Sequence, residues 1–187
     1  AGDGIVFAGT GKGLLRLQSS ELVAESALNF PVQRLVRAGG KFWAMTSAGL
    51  HRHDGVNWKQ VSAERVSDVT IFRGEILAAI GNRLFRVKGD AVESVSTNSA
   101  RFSMTRLVPH NETLFLHGPG RLTPFAFGTF GGQDAYTWPT DQGWDWGSLP
   151  SPNTRDALSI GPALFIATDR GLGVLRGMSL APLRGEQ

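Results

Sequence analysis

Phe42-Trp43-Ala44-Met45-Thr46-Ser47-Ala48-Gly49-Leu50-His51-Arg52-His53-Asp54-Gly55-Val56-Asn57-Trp58-Lys59-Gln60-Val61 is the stretch whose reading decides the fold. Phe42 to Met45 is an almost wholly apolar run of strand length, and Thr46-Ser47-Ala48-Gly49 is made of turn residues. Leu50-His51-Arg52 starts a third strand, Asp54-Gly55 is a hairpin signal, and Trp58 to Val61 alternates apolar with polar. Upstream, Val32, Leu35 and Val36 with polar neighbours make a first short strand, closed by the turn Ala38-Gly39-Gly40-Lys41. One unit therefore reads as four short antiparallel strands.

The unit recurs. An apolar residue follows a leucine by eight positions at Leu14 and Leu22, Leu50 and Trp58, Leu84 and Val92, and Leu172 and Leu180. Eight residues before Leu50, Leu84 and Leu172 stand the apolar strand centres Phe42, Ile76 and Leu164, and ten residues earlier still Val32, Val66 and Thr154 open the unit. A weaker copy runs from Met104 through Leu114 to a displaced Leu122. Periods of roughly 34 to 50 residues mark stacked or radial repeats. The second strand of each unit is continuously apolar, as expected of a strand covered on both faces. Together these predict an all-β protein, a β-propeller of about five blades of four-stranded antiparallel meanders, in a single domain over residues 1–187. The blade units fall at 1–31, 32–65, 66–103, 104–153 and 154–187. The best helical candidate, Ser20 to Leu28, is short and sits at a strand position of the repeat.

By the same register the innermost strand of the first unit would begin about four residues before Ala1, and only Ala181 to Gln187 follow Leu180. We therefore expect an open or partial ring without strand-exchange closure. Such a ring leaves apolar blade faces and strand edges for a partner or a second copy of the chain.

Three units, Trp43-Ala44-Met45-Thr46-Ser47-Ala48-Gly49-Leu50, Phe165-Ile166-Ala167-Thr168-Asp169-Arg170-Gly171-Leu172 and Ala8-Gly9-Thr10-Gly11-Lys12-Gly13-Leu14, resemble the repeat of the two-component-regulator propellers. That resemblance implies a ligand-sensing extracytoplasmic domain. Asp141-Gln142-Gly143-Trp144-Asp145-Trp146 resembles the Asp-box of sialidase-type and photosystem-assembly-factor-type propellers, with Pro139 where the usual Ser would stand. In that family the box is structural and lies away from the active site.

The formal charge of +3 and pI of 9.8 reflect a small, dispersed surplus with no Lys/Arg run to neutralise a row of phosphates, so no nucleic-acid partner is expected. With no cysteine there is no disulfide framework, thiolate metal site or cysteine nucleophile. Cysteine-free composition suits an exported bacterial domain, and we expect a periplasmic or extracellular location. No stretch approaches the roughly 20 apolar residues of a membrane span.

Two groups of residues are candidates for binding. Arg34, Asp68, Arg106 and Asp156 stand two positions after the start of their units, and equivalent positions of innermost strands converge near the axis. They read either as a polar ligand site, with arginines gripping a carboxylate or phosphate, or as an ion-pair ring that links blades. Residues 123 to 153 concentrate aromatics, and Phe125, Phe127, Tyr136, Trp138 and Trp144 are candidate anchors for a protein partner or platforms for a sugar. The alternative is that several of these rings fill the blade. His51 and His53 alternate on a strand without a carboxylate cluster to complete a metal set, and Gly9 to Gly13 lacks the Gly-Lys-Ser/Thr ending of a phosphate loop. No metal, cofactor or catalytic residue is expected. The single tyrosine lies in an outer insertion, and no Gly-x-Ser-x-Gly elbow occurs. The reading is a non-catalytic ligand- or protein-binding module, either a sensor domain or an extrinsic subunit of a larger assembly. The alternative is a sialidase-like glycoside-acting enzyme.

Overall fold

The computed structural model describes residues 4–95, 102–130, 133–137, 149–151 and 153–176, with side chains for all of these except 126–130 and 133–137. The described residues form eighteen strands in five antiparallel sheets and no helix. The first sheet holds β1 (Phe7–Thr10), β2 (Gly13–Gln18) and β3 (Glu21–Ala24). The second holds β4 (Val32–Ala38), β5 (Lys41–Thr46), β6 (Gly49–His53) and β7 (Trp58–Ser62). The third holds β8 (Val66–Phe72), β9 (Glu75–Ile80), β10 (Arg83–Lys88) and β11 (Ala91–Ser94). The fourth holds β12 (Arg106–His110), β13 (Thr113–Gly118), β14 (Arg121–Phe130) and β15 (Gln133–Thr137), and the fifth β16 (Thr154–Ile160), β17 (Ala163–Thr168) and β18 (Gly171–Arg176).

Each sheet is a meander whose neighbours in space are neighbours in sequence. The eight-residue interval has a simple origin in the ladder. Leu17 faces Leu22, His53 faces Trp58 and Val87 faces Val92, so the later residue of each pair is the first or second of the outer strand, opposite the residue three positions beyond the leucine anchor.

The Thr-x-x-Gly that precedes three of the leucines is a two-residue hairpin locked by its threonine. Thr10, Thr46 and Thr168 each donate through Oγ1 to the carbonyl of Gly13, Gly49 and Gly171, at 2.8, 3.1 and 2.8 Å. The same oxygens accept the amides of Lys12, Ala48 and Arg170. The three glycines have φ of 140°, 116° and 136°, outside the range of L side chains, and a Cβ on Gly49 would lie 2.1 Å from the Ser62 carbonyl oxygen. In the third and fourth sheets Ile80 and Gly118 replace the threonine, and Arg83 and Arg121 replace the glycine. Those hairpins turn instead through Gly81 and Gly120, which is why neither copy carries the Thr-x-x-Gly pattern.

The threonine also fixes strand equivalence. Thr10 ends β1 as Thr46 ends β5, so β1 is the second strand of its blade, and no described residue fills that blade's innermost position. The fifth sheet holds the innermost, second and third strands. Ser20 to Leu28 contains β3 and no helix.

The blades pack in chain order, β1 on β4, β4 on β8, β8 on β12 and β12 on β16, and no comparable packing joins β16 to β1 among the described residues. The fold is a five-bladed arc, an open propeller. Four apolar cores occupy the four blade junctions. They centre on Leu14 and Ala44, on Met45 and Val66, on Leu84 and Leu114, and on Phe115 and Leu164. The second strands are buried on both faces, through Trp43 to Thr46, Leu77 to Ala79 and Leu114 to Leu116. Trp43 meets its polar requirement by donating Nε1–H to the Ala38 carbonyl at 2.9 Å.

His51 and His53 face the first junction. The His53 ring packs 5.2 Å from Phe7 of the first blade and 5.1 Å from Trp58, and its Nδ1 accepts the Gly55 amide at 3.3 Å. No group of three or more potential metal ligands gathers among the described residues. Asp54 is a turn residue whose carboxylate accepts the Val56 and Asn57 amides.

Two expectations follow. Gly49→Ala should destabilise the fold by about 2 kcal/mol or more, because strain and overlap coincide. Gly11→Ala, with no positive φ and open space around it, should stay within about 1 kcal/mol of the parent in urea unfolding. Burial also holds the imidazoles of His51, His110 and His117 below their ordinary value of 6.5. The folded chain thus favours neutral rings, while the unfolded chain takes up protons as pH falls through 6.5. Their stabilisation is complete above that value and declines below it. The urea midpoint should fall between about pH 7.5 and about pH 5.5, and His117→Gln should make the fall shallower.

Candidate functional site

The innermost strands carry a built-in kink. In β4, β8 and β16 the register shifts between Val32 and Arg34, between Val66 and Asp68, and between Thr154 and Asp156. The extra residues Gln33, Ser67 and Arg155 leave the ladder, and the bulge re-aims the side chain that follows. In the fourth blade Arg106 opens β12 opposite His117.

With three of the charges placed by bulges and Arg106 by the first rung of β12, the four meet in two pairs across blade boundaries. Arg34 Nε lies 2.8 Å from Asp68 Oδ1, an ion pair whose N–H is not aimed for a hydrogen bond. Asp68 Oδ1 also accepts the Val69 amide at 3.0 Å, and Asp68 Oδ2 accepts the Leu107 amide of the next blade at 2.9 Å. Arg106 Nη2 donates to Asp156 Oδ2 at 2.5 Å, and Asp156 Oδ1 accepts the Ala157 amide at 2.9 Å. The series thus ties the second blade to the third, the third to the fourth, and the fourth to the fifth. Of the two readings open in the sequence, this geometry is that of the blade-linking ion pairs. Burial pushes the Asp68 carboxyl above its usual value, opposed by Arg34, the Leu107 and Val69 amides and Arg106.

Sequence reasoning passed over the bulge residue itself. Ser67 donates to the Met104 carbonyl of the fourth blade at 2.6 Å and lies 3.2 Å from the Ala79 carbonyl. Its signal was its place between Val66 and Asp68 in the repeat register. At the outer rim, Arg52 and Lys59 of the second blade grip Asp90 of the third, and Arg52 also donates to the Gly89 carbonyl at 2.6 Å.

The aromatic insertion divides. Phe125 is buried in the core between the third and fourth blades, because its rung faces Leu114 inside the sheet, and this removes it from the exposed anchors. From Ala126 on, β14 leaves β13 and pairs only with β15, from Ala126 opposite Thr137 to Phe130 opposite Gln133. Phe127 stands directly opposite Tyr136 on this two-stranded ribbon. Trp138, Trp144 and the Asp-box-like residues 141–146 lie outside the described residues.

No family model matches the chain, nor does any curated protein sequence. Solved structures do match. PorZ, described as an essential bacterial surface component of the type-IX secretion system of Porphyromonas gingivalis, aligns with a TM-score of 0.54 at 15% identity over 92% of this chain and 23% of its own. The extracellular domain of the putative hybrid two component system BT4673 from B. thetaiotaomicron aligns at 0.54 and 14% over 89% of this chain and 21% of its own. That of BT3049 from the same organism aligns at 0.51 and 16% over 94% and 25%. The likeness is one of fold, and the chain spans a quarter or less of the length of these structures.

The two aspartates should differ in weight. Asp68→Ala removes the partner of Arg34 and of the buried Leu107 amide, and should lower unfolding free energy by about 3 kcal/mol. Asp156, far more exposed, should cost about 1 kcal/mol or less as alanine. Equal losses in urea titrations would contradict the blade-linking assignment.

Proposed function

We propose that this chain is a non-catalytic binding module of an exported bacterial protein, a segment of a propeller-type sensor domain or of an extrinsic subunit of a larger assembly. The observation that carries the reading is the division of labour just described. The axial charges spend their polar contacts on one another and on backbone amides, whereas the β14–β15 ribbon runs past the sheet and holds aromatic residues opposite one another. Structures of similar fold include two extracellular domains of putative hybrid two component systems and a bacterial surface component, which supports a periplasmic or extracellular setting.

The site combines Phe127 and Tyr136 of the ribbon with Trp138 and Trp144, which follow it in sequence, and binds a protein partner or a carbohydrate, as aromatic faces suit sugar rings and apolar anchors alike. Arginine-led recognition of an anion at Arg34 and Arg106 is the competing location.

Tryptophan-fluorescence titration with a panel of oligosaccharides tests both. Tyr136→Ala with Trp138→Ala should weaken binding about tenfold or more while raised salt changes little. If salt abolishes binding and the aromatic double variant matches the parent, the site moves to Arg34 and Arg106. Turnover of aryl glycosides that disappears with Asp156→Ala would replace the binding reading by an enzymatic one.

A further inference from the structure

Asp68 and Asp156 hold the same place in their blades and differ in what lies beyond them. Each pairs with an arginine of the preceding blade and accepts the amide of the residue after it. Asp68 also accepts the Leu107 amide from the following blade, and its side chain is 2% exposed. Asp156 has no such donor among the described residues, and its side chain is 45% exposed.

The apolar surroundings repeat the contrast. Phe72, Leu77 and Leu84 of the third blade are buried against Met104, Leu107 and Leu114 of the fourth. Counting from the aspartate, their counterparts in the fifth blade are Ile160, Phe165 and Leu172. Leu158 faces Phe165, Phe165 faces Val174, and Ala167 faces Leu172, so these residues share one side of the sheet. On that side Leu158, Ile160 and Leu172 are 56%, 57% and 59% exposed. The other side, with Ala157, Leu164 and Ile166, is packed against the fourth blade. Scattered exposed leucines need no cause, but a contiguous set that repeats a buried interface does.

We infer that the outward face of the fifth blade is a docking surface for a further β-propeller blade, beyond the five here, that brings its own innermost strand. That strand donates a backbone amide to Asp156, as Leu107 does to Asp68, and carries a basic residue beside the donor, as Arg106 stands beside Leu107. A second copy docking head to tail does not satisfy the site. Its first blade presents β1, a second strand, and offers no described innermost strand to reach Asp156. Two fifth blades face to face would oppose aspartate to aspartate. This surface is separate from the aromatic ribbon and does not depend on it.

The test appends a copy of residues 32–65, the Arg34 blade, to the 187-residue chain and reads hydroxyl-radical labelling and thermal unfolding. Labelling at Leu158, Ile160 and Leu172 should fall several-fold in the extended chain, and its unfolding midpoint should rise. Leu172→Lys should cancel the rise while leaving the midpoint of the parent chain unchanged. Unchanged labelling, or an added blade whose own apolar residues stay labelled because it has found no seat, overturns the inference. So does a parent chain that is dimeric by light scattering and becomes monomeric with Leu172→Lys, since a second copy would then be the occupant.

Discussion

The rest of the structure depends on the second strand of each blade being apolar on both faces. A strand such as Phe42-Trp43-Ala44-Met45 cannot be satisfied within one meander, because a single sheet has no second layer to cover it. Each blade therefore needs a neighbour on either side, and the four junction cores are the consequence. Stability in such an array is a sum of weak units and strong interfaces, so the end blades, with one interface each, hold least. Pairing of β1, β2 and β3 leaves Leu22 more than half exposed, which fits a terminal blade covered on one side only.

Much of this was legible because the repeat is written in residues with backbone consequences. Thr-x-x-Gly-Leu reports a hairpin that uses a hydroxyl at one end and a residue at positive φ at the other, a combination that few residue pairs meet. Where the turn glycine moved into the loop, at Gly81 and Gly120, the same hairpin forms by a different backbone route and the pattern fades. Burial of the second strands was legible for a related reason, since a strand with one wet face alternates and these do not.

The site was only half legible. Equivalent positions could be read as converging, but whether Arg34 and Asp68 touch a ligand or each other depends on the bulges at Gln33 and Ser67, which periodicity does not reveal. Phe125 was misassigned because composition cannot say where along β14 the sheet ends. Its rung still pairs with β13, and one residue later the strand has changed partners. Phe125 and Phe127 are separated in role by that switch rather than by chemistry.

A buried carboxylate whose proton affinity is raised is a costly way to hold two blades together, and an apolar pair of similar volume would stabilise as well or better. What apolar packing lacks is direction. Leucine against leucine tolerates sliding of one blade over the next, whereas the Leu107 amide reaches Asp68 Oδ2 in one register only, and Ser67 adds a second directional contact to Met104 beside it. The sign alternation then adds selectivity to register. An aspartate blade beside another aspartate blade would bury like charges, while beside an arginine blade it is neutralised. Apolar surface supplies the attraction between blades, and the axial charges decide which blade follows which and at what height.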